Sequence, residues 1–404
     1  MPQVLERPAG LRFVHRPHRL KARRFPDQVV AVAPAGGTEA PVWVVLVENG
    51  DIGILDVEAG EFEVVARLRE PLDLPYSRES WLSGRLSAQE RARLEELDDW
   101  SWRYKFPNPL PPEDHARVTE RGELDSLSTG AAKPALVASG DARFAALYNR
   151  RGRRTGVVFD LSSGDITMRL DHQSHHSHAS LFPVSFFDYD GRSLLVHATA
   201  WNRLDVSDPA SGELLTPRPA ASKRSAGEAP AHYLDYFHGT LLPSPDGGWI
   251  ADQGWVWHPV GVVSAWDLHR WVTNNVWESE TGPSRRTFCA RDYFSDSPMC
   301  WVGPRTLAVW GFGEDADWII PAVRIFDAPS GAELGWFPGP FGELAFDGRY
   351  LHSFSKDHGT SVWDLEAGAR VHYEWGLCPV SYHPASGWFL SLGPDDGLLL
   401  SRVG

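Results

Sequence analysis

One phrase recurs along this chain and restricts its fold more than any other feature: an apolar strand, an aspartate, then a few residues leading to a glycine or similar turn. It reads ILDVEAGE from Ile54, VFDLSSGD from Val158, RLDVSDPASGE from Arg203, AWDLHRW from Ala265, IFDAPSGAE from Ile325 and VWDLEAGAR from Val362. Six copies make this a repeat protein, in which each copy is one supersecondary unit that buries its apolar faces against its neighbours. The repeat aspartates are Asp56, Asp160, Asp205, Asp267, Asp327 and Asp364, separated by 104, 45, 62, 60 and 37 residues. A second kind of turn lies upstream, in FDYDGR (Phe187 to Arg192), PSPDGGW (Pro243 to Trp249), FDGRY (Phe346 to Tyr350) and HPASGW (His383 to Trp388). Asp-Gly and similar pairs supply the positive φ that tight hairpins need.

The pattern resembles the WD40 family, whose repeat closes its third strand with Trp-Asp. Trp266-Asp267 and Trp363-Asp364 keep both residues, and the other copies keep the aspartate behind Leu or Phe. The Gly-His that usually opens such a repeat is largely missing, so blade boundaries are free to slip. The resemblance implies an all-β fold, a seven-bladed β-propeller of four-stranded antiparallel blades. A unit takes about 40–45 residues, so the larger separations are insertions. The expected blades are 28–68, 134–170, 178–216, 236–268, 298–338, 341–374 and 378–404, with insertions at 69–127, 217–231 and 269–297. Only three strands follow Asp364 in the last blade. The expected fourth is Leu11 to Pro17, which would close the ring and leave no open sheet edge.

Residues 69–127 carry a capping box from Ser87 to Glu90, followed by Leu94, Leu97 and Trp100 at helical spacing. Tyr76, Trp81, Trp102, Tyr104 and Phe106 surround this short helix, an aromatic density that suits packing onto the propeller or a binding surface. Residues 217–231 are rich in Pro, Ala and Ser and are expected to be a mobile loop. Residues 269–297 begin with Trp271 and Trp277 and are expected to form a short helix and a packed loop. Trp81, Trp100, Trp102, Trp271 and Trp277 are the candidate interaction residues.

Charge and motifs narrow the function classes. A net charge of −14 argues against non-specific nucleic-acid binding. The basic stretch Arg12, Arg16, Arg19, Lys21, Arg23 and Arg24 is the local exception, and a closing strand accounts for part of it. No apolar run spans a bilayer and no apolar segment follows the N-terminal charges, so a cytoplasmic location is expected. The three cysteines, Cys289, Cys300 and Cys378, form no C-x-x-C pair and are expected to be inert thiols. Nucleophile elbow, phosphate loop, H-E-x-x-H and complete calcium loop are all absent, so no catalytic residue and no cofactor is assigned. Carboxylates at Glu314, Asp315, Asp317, Asp395 and Asp396 fall in expected hairpin loops as solvated groups.

The segment DHQSHHSHAS gathers His172, His175, His176 and His178. Neutral imidazoles are metal ligands, and with His238 from an inner strand they form the candidate metal set His175, His176, His178 and His238. His178 equally fits the histidine that precedes the first strand of a WD40 repeat. Two functions from different classes follow. The first is a non-catalytic scaffold or adaptor presenting the loops of a rigid propeller to a partner protein or peptide. The second is a metal-dependent lyase or hydrolase with a histidine-based site at the central channel. A third reading, a subunit of a larger bacterial assembly, rests on codon-linked composition, 34 arginines against five lysines.

Overall fold

The alternation of apolar strands and turn residues is realised as seven antiparallel sheets set in a ring. The computed structural model describes residues 11–20, 29–36, 41–67, 134–150, 155–171, 181–219, 231–393 and 397–404. Blade 1 holds β2–β5 (Val29–Ala35, Val42–Val47, Asp51–Asp56, Glu61–Arg67) and blade 2 holds β6–β9 (Pro134–Ala138, Phe144–Asn149, Thr155–Asp160, Ile166–Asp171). Blade 3 holds β10–β12 (Val184–Tyr189, Arg192–Ala200, Arg203–Ser207), and blade 4 holds β13–β16 (Phe237–Pro243, Trp249–Val256, Val260–Asp267, Arg286–Asp292). Blade 5 holds β17–β20 (Met299–Trp301, Thr306–Phe312, Ile320–Asp327, Glu333–Pro338). Blade 6 holds β21–β24 (Glu343–Phe346, Leu351–Ser355, Gly359–Asp364, Ala369–Glu374), and blade 7 holds β25–β27 (Ser381–His383, Trp388–Leu392, Gly397–Val403) completed by β1 (Phe13–Arg19). The strands of each blade are called a to d from the channel outward. The a strands are innermost: β2 touches β6 and β25, β6 touches β10, β10 touches β13, and β17 touches β21.

The ring closes by pairing its two ends. β1 runs antiparallel to β27 from Phe13↔Val403 to Arg19↔Gly397. The strand lies two residues later than the expected 11–17, and its basic residues face outward while Phe13 is buried among Tyr350, Phe354 and Phe389.

The turns explain the repeat. Asp56, Asp160, Asp327 and Asp364 each turn a side-chain oxygen onto a backbone N–H two or three residues on, at Ala59 (2.8 Å), Ser162 (2.9 Å), Ser330 (3.0 Å) and Ala367 (2.9 Å). These Asx turns close c onto d. Asp267 makes the same bond to Arg270 N–H at 2.8 Å, and there it caps a helix, α1 (Leu268–Thr273), instead of a hairpin. In blade 3 the turn belongs to Asp208, which binds Ala210 N–H at 2.8 Å, and Asp205 three residues earlier has another task. The a–b hairpin of blade 3 uses Asp190 (φ 50°) and Gly191 (φ 70°), the two positive values of a type I′ turn. Turn glycines also let blades approach: a Cβ on Gly164 would stand 2.2 Å from the Val65 carbonyl oxygen of blade 1.

Two segments differ from expectation. Arg286–Asp292, within the expected insertion 269–297, is strand d of blade 4. Blade 3 has three ladder strands, and its fourth position holds a single bridge, Ser207↔Leu214. The space is covered by α1 and the short α2 (Glu278–Thr281); Leu268 and Trp271 pack in one cluster with Leu204 and Val206. The helix expected near residues 87–100 and most of the loop 217–231 lie outside the described residues. No described helix is long and apolar enough to cross a membrane.

Most seams between blades are apolar, and two buried histidines are held by hydrogen bonds. At the seam of blades 7 and 1, His383 donates from Nε2 to the Ala35 carbonyl at 2.8 Å, while its Nδ1 faces the N–H of Ser386 at 3.3 Å. This arrangement holds a neutral ring, and burial lowers its pKa. His197, bound through Nε2 to Ser207 Oγ at 2.9 Å, is lowered by burial as well.

Phe13→Ala should lower the urea-unfolding free energy by about 3–5 kcal/mol, because it empties the closing seam. The histidines give a pH signature. With folded pKa values below the unfolded value of about 6.5, the unfolded chain takes up protons first, so stability falls as pH drops below about 6.5. Urea midpoints between pH 7.5 and 5 should decrease, and His197→Gln with His383→Gln should flatten that slope.

Candidate binding face at the channel mouth

Antiparallel blades that all start on the inside have a geometric consequence. The b–c loops and the d–a connections emerge on one face of the ring, and the a–b and c–d turns on the other. Among the described residues, no large hydrophobic side chain exposed to solvent sits in an a–b or c–d turn. The opposite face carries them: Trp257 in the b–c loop of blade 4 (50% exposed), Tyr293 in the connection from blade 4 to 5 (64%), Trp318 in the b–c loop of blade 5 (80%) and Trp375 in the connection from blade 6 to 7 (66%). Phe341 and Val380 lie on the same face.

Two of these side chains, Trp257 and Phe341, stand on aromatic piles that fix their positions. In blade 4, Phe237 stacks on Trp255 at 4.2 Å, Trp201 leans on Phe237 at 4.8 Å, and Trp257 meets Trp255 edge-on at 5.1 Å. Across blades 5 and 6, Phe294, Trp310, Phe341 and His358 form a row with centroid separations of 5.9, 5.9 and 4.1 Å. The row is pinned by Trp310 Nε1–H donating to the Pro340 carbonyl at 2.8 Å. A rigid aromatic platform loses little conformational entropy when a partner docks on it.

A polar contact bridges non-adjacent blades over the channel. Arg150, just past β7 of blade 2, donates from Nη2 to Asp296 Oδ1 at 2.8 Å, and Thr240 of blade 4 donates to the same oxygen at 3.1 Å. Glu343 opens the inner strand of blade 6; it is wetted by the channel yet enclosed by protein. That enclosure raises its carboxyl pKa, with Arg150 opposing and Asp296 adding to the rise. Beside Arg150 lies a cavity of about 220 Å³ walled by Val137, Tyr148, Phe182, Val184 and Leu241. Burial pushes the Tyr148 hydroxyl up to about 12.

The candidates named from sequence are distributed as follows. His238 is buried in blade 4, its Nδ1 2.7 Å from Asp252 Oδ2, while Gly239 N–H binds the other oxygen at 3.1 Å. His175, His176 and His178 lie outside the described residues, as do Trp81, Trp100 and Trp102. Among the described residues no group of three or more His, Cys, Asp or Glu is placed to hold a metal ion. Trp271 is fully buried, edge-on to Trp266 at 5.8 Å, with its indole N–H on the Val276 carbonyl at 3.2 Å. Trp277 is half-buried, stacked on His232 at 4.5 Å and under the Arg218 guanidinium at 5.3 Å.

Arg218 belongs to a buried network that no motif announced. Its side chain is inaccessible and joins Asp205 (2.5 Å), the Leu204 carbonyl (2.7 Å) and Glu280. Asp205 also accepts from Thr199, from Arg203 at 2.8 Å and from Thr216 at 3.1 Å. This tie binds the incomplete edge of blade 3 to the helical insertion of blade 4. The Arg150–Asp296 contact, across 146 positions, likewise had no sequence signal.

Comparison with protein-family models and with curated proteins gives no match. The likeness to WD40 propellers therefore stands on the repeat and on the seven-bladed ring.

The two arginines should behave differently in urea melts. Arg218→Ala leaves the buried Glu280 without its guanidinium and Asp205 with Arg203 alone, and should cost about 3–5 kcal/mol. Arg150→Ala removes a part-exposed pair and should cost at most about 1 kcal/mol.

Proposed function

We propose that this chain is a non-catalytic interaction scaffold, and that the face carrying its b–c loops and d–a connections binds a partner protein or peptide. The observation that supports this reading is the one-sided display of aromatic side chains in the loops of blades 4 to 6. Large exposed apolar groups are costly in a monomer, and Trp and Tyr on a rigid base are the residue types that dominate binding energy at interfaces. The blade ring keeps these loops at fixed separations, as a scaffold requires. The metal-dependent reading gains no such support. His238 is engaged with Asp252 inside its blade.

The test is affinity capture with a triple variant, Trp257→Ala, Trp318→Ala and Trp375→Ala. These side chains are exposed, so the unfolding free energy should stay within about 0.5 kcal/mol of wild type per site, while a stoichiometric partner recovered with the wild-type chain should be lost. Full retention of that partner would move the binding site off this face.

A further inference from the structure

The aromatic face has a second regularity, in its charges. Four exposed aromatics of the loops in blades 4 to 6 have a carboxylate within three positions along the chain: Asp292 and Asp296 for Tyr293, Asp317 for Trp318, Glu343 for Phe341 and Glu374 for Trp375. The loops are also tied together. The Glu314 carbonyl accepts the Asp292 N–H at 2.6 Å, which fixes the loop carrying Trp318 against the connection carrying Tyr293. Asp357 precedes His358, whose ring lies 4.1 Å from Phe341. Among the described residues of these connections and b–c loops in blades 4 to 6 the one lysine or arginine is Lys356. Arg150 reaches in from blade 2, and Asp296 already takes its charge.

An aromatic ring beside a carboxylate selects a cation. The ring face attracts positive charge through its quadrupole and the carboxylate through an ion pair, while an anion is repelled by both. A guanidinium uses both better than an ammonium, because it is flat, weakly hydrated and able to grip a carboxylate with two N–H groups. We propose that the partner segment received by this face is basic, and that it presents arginine side chains to the aromatic–carboxylate pairs of blades 4 to 6. The inference rests on the binding-face reading above and adds the chemistry of the occupant.

The probes are three fluorescein-labelled peptides of equal length, Gly-Ser chains carrying three arginines, three lysines or three glutamates, titrated against the full chain at physiological salt and followed by anisotropy. The arginine probe should bind tightest, the lysine probe more weakly, and the glutamate probe not at all. Replacing Glu314→Gln, Asp317→Asn and Asp357→Asn together should weaken arginine binding by about fivefold or more, and Trp318→Ala with Trp375→Ala should do likewise. A control removes the same charge from the turn face through Asp190→Asn, Glu213→Gln and Glu366→Gln, and should change binding by less than about twofold. Equal loss in the control would overturn the proposal, since a chain of net charge −14 attracts cations diffusely. So would equal binding of the arginine and glutamate probes. If the tryptophan variants lose the native partner yet no arginine probe binds, the face is retained as the docking site and the basic partner is rejected.

Discussion

The pairing of β1 with β27 is the interaction on which the rest depends. Seven sheets in a ring bury their faces against one another only if the last meets the first, and an unpaired β27 would present a row of free N–H and C=O groups. The cluster of blades 6 and 7 uses Leu11 and Phe13 from one end of the chain and Phe389 from the other. Ring rigidity, and with it the fixed spacing of the loops, is therefore a property of the joined ends. Neither end alone carries it.

One seam is built differently. Between blades 3 and 4 the outer strand is reduced to a bridge, and the space is filled by α1, α2 and the Asp205–Arg218–Glu280 network. Buried ion pairs contribute little net stability against an apolar alternative, yet they tolerate no loss of a member. They also fix geometry. The guanidinium fork of Arg218 holds the Leu204 carbonyl and two carboxylates at once, which sets the position of the insertion on the blade edge.

The fold was legible because its information is local and repeated. Asx turns at Asp160, Asp327 and Asp364, and the Asp190–Gly191 hairpin, are short-range bonds that a repeated phrase records directly. Where the phrase stretched to RLDVSDPASGE, two aspartates competed. Counting back from the glycine singles out Asp208, whereas reading the strand ending singles out Asp205. Strand d of blade 4 was hidden because SRRTFCARDYF lacks clean alternation, its outer edge being partly solvated. The candidate face was the least legible part. Exposure of Trp257, Trp318 and Trp375 and burial of Trp271 depend on which side of the ring a loop leaves, and composition alone treats all tryptophans alike.

The closing strand also sets an orientation. β27 is the third strand of its blade and β1 the fourth, so the chain enters β1 and leaves β27 on the side of the a–b and c–d turns, with Arg12 and Gly404 joined by a backbone hydrogen bond of 2.9 Å. A label or solid support joined directly to Gly404 leaves the ring on that turn side. The tryptophan-bearing side then points away from that attachment, so that a copy tethered there is displayed with its aromatic loops outward.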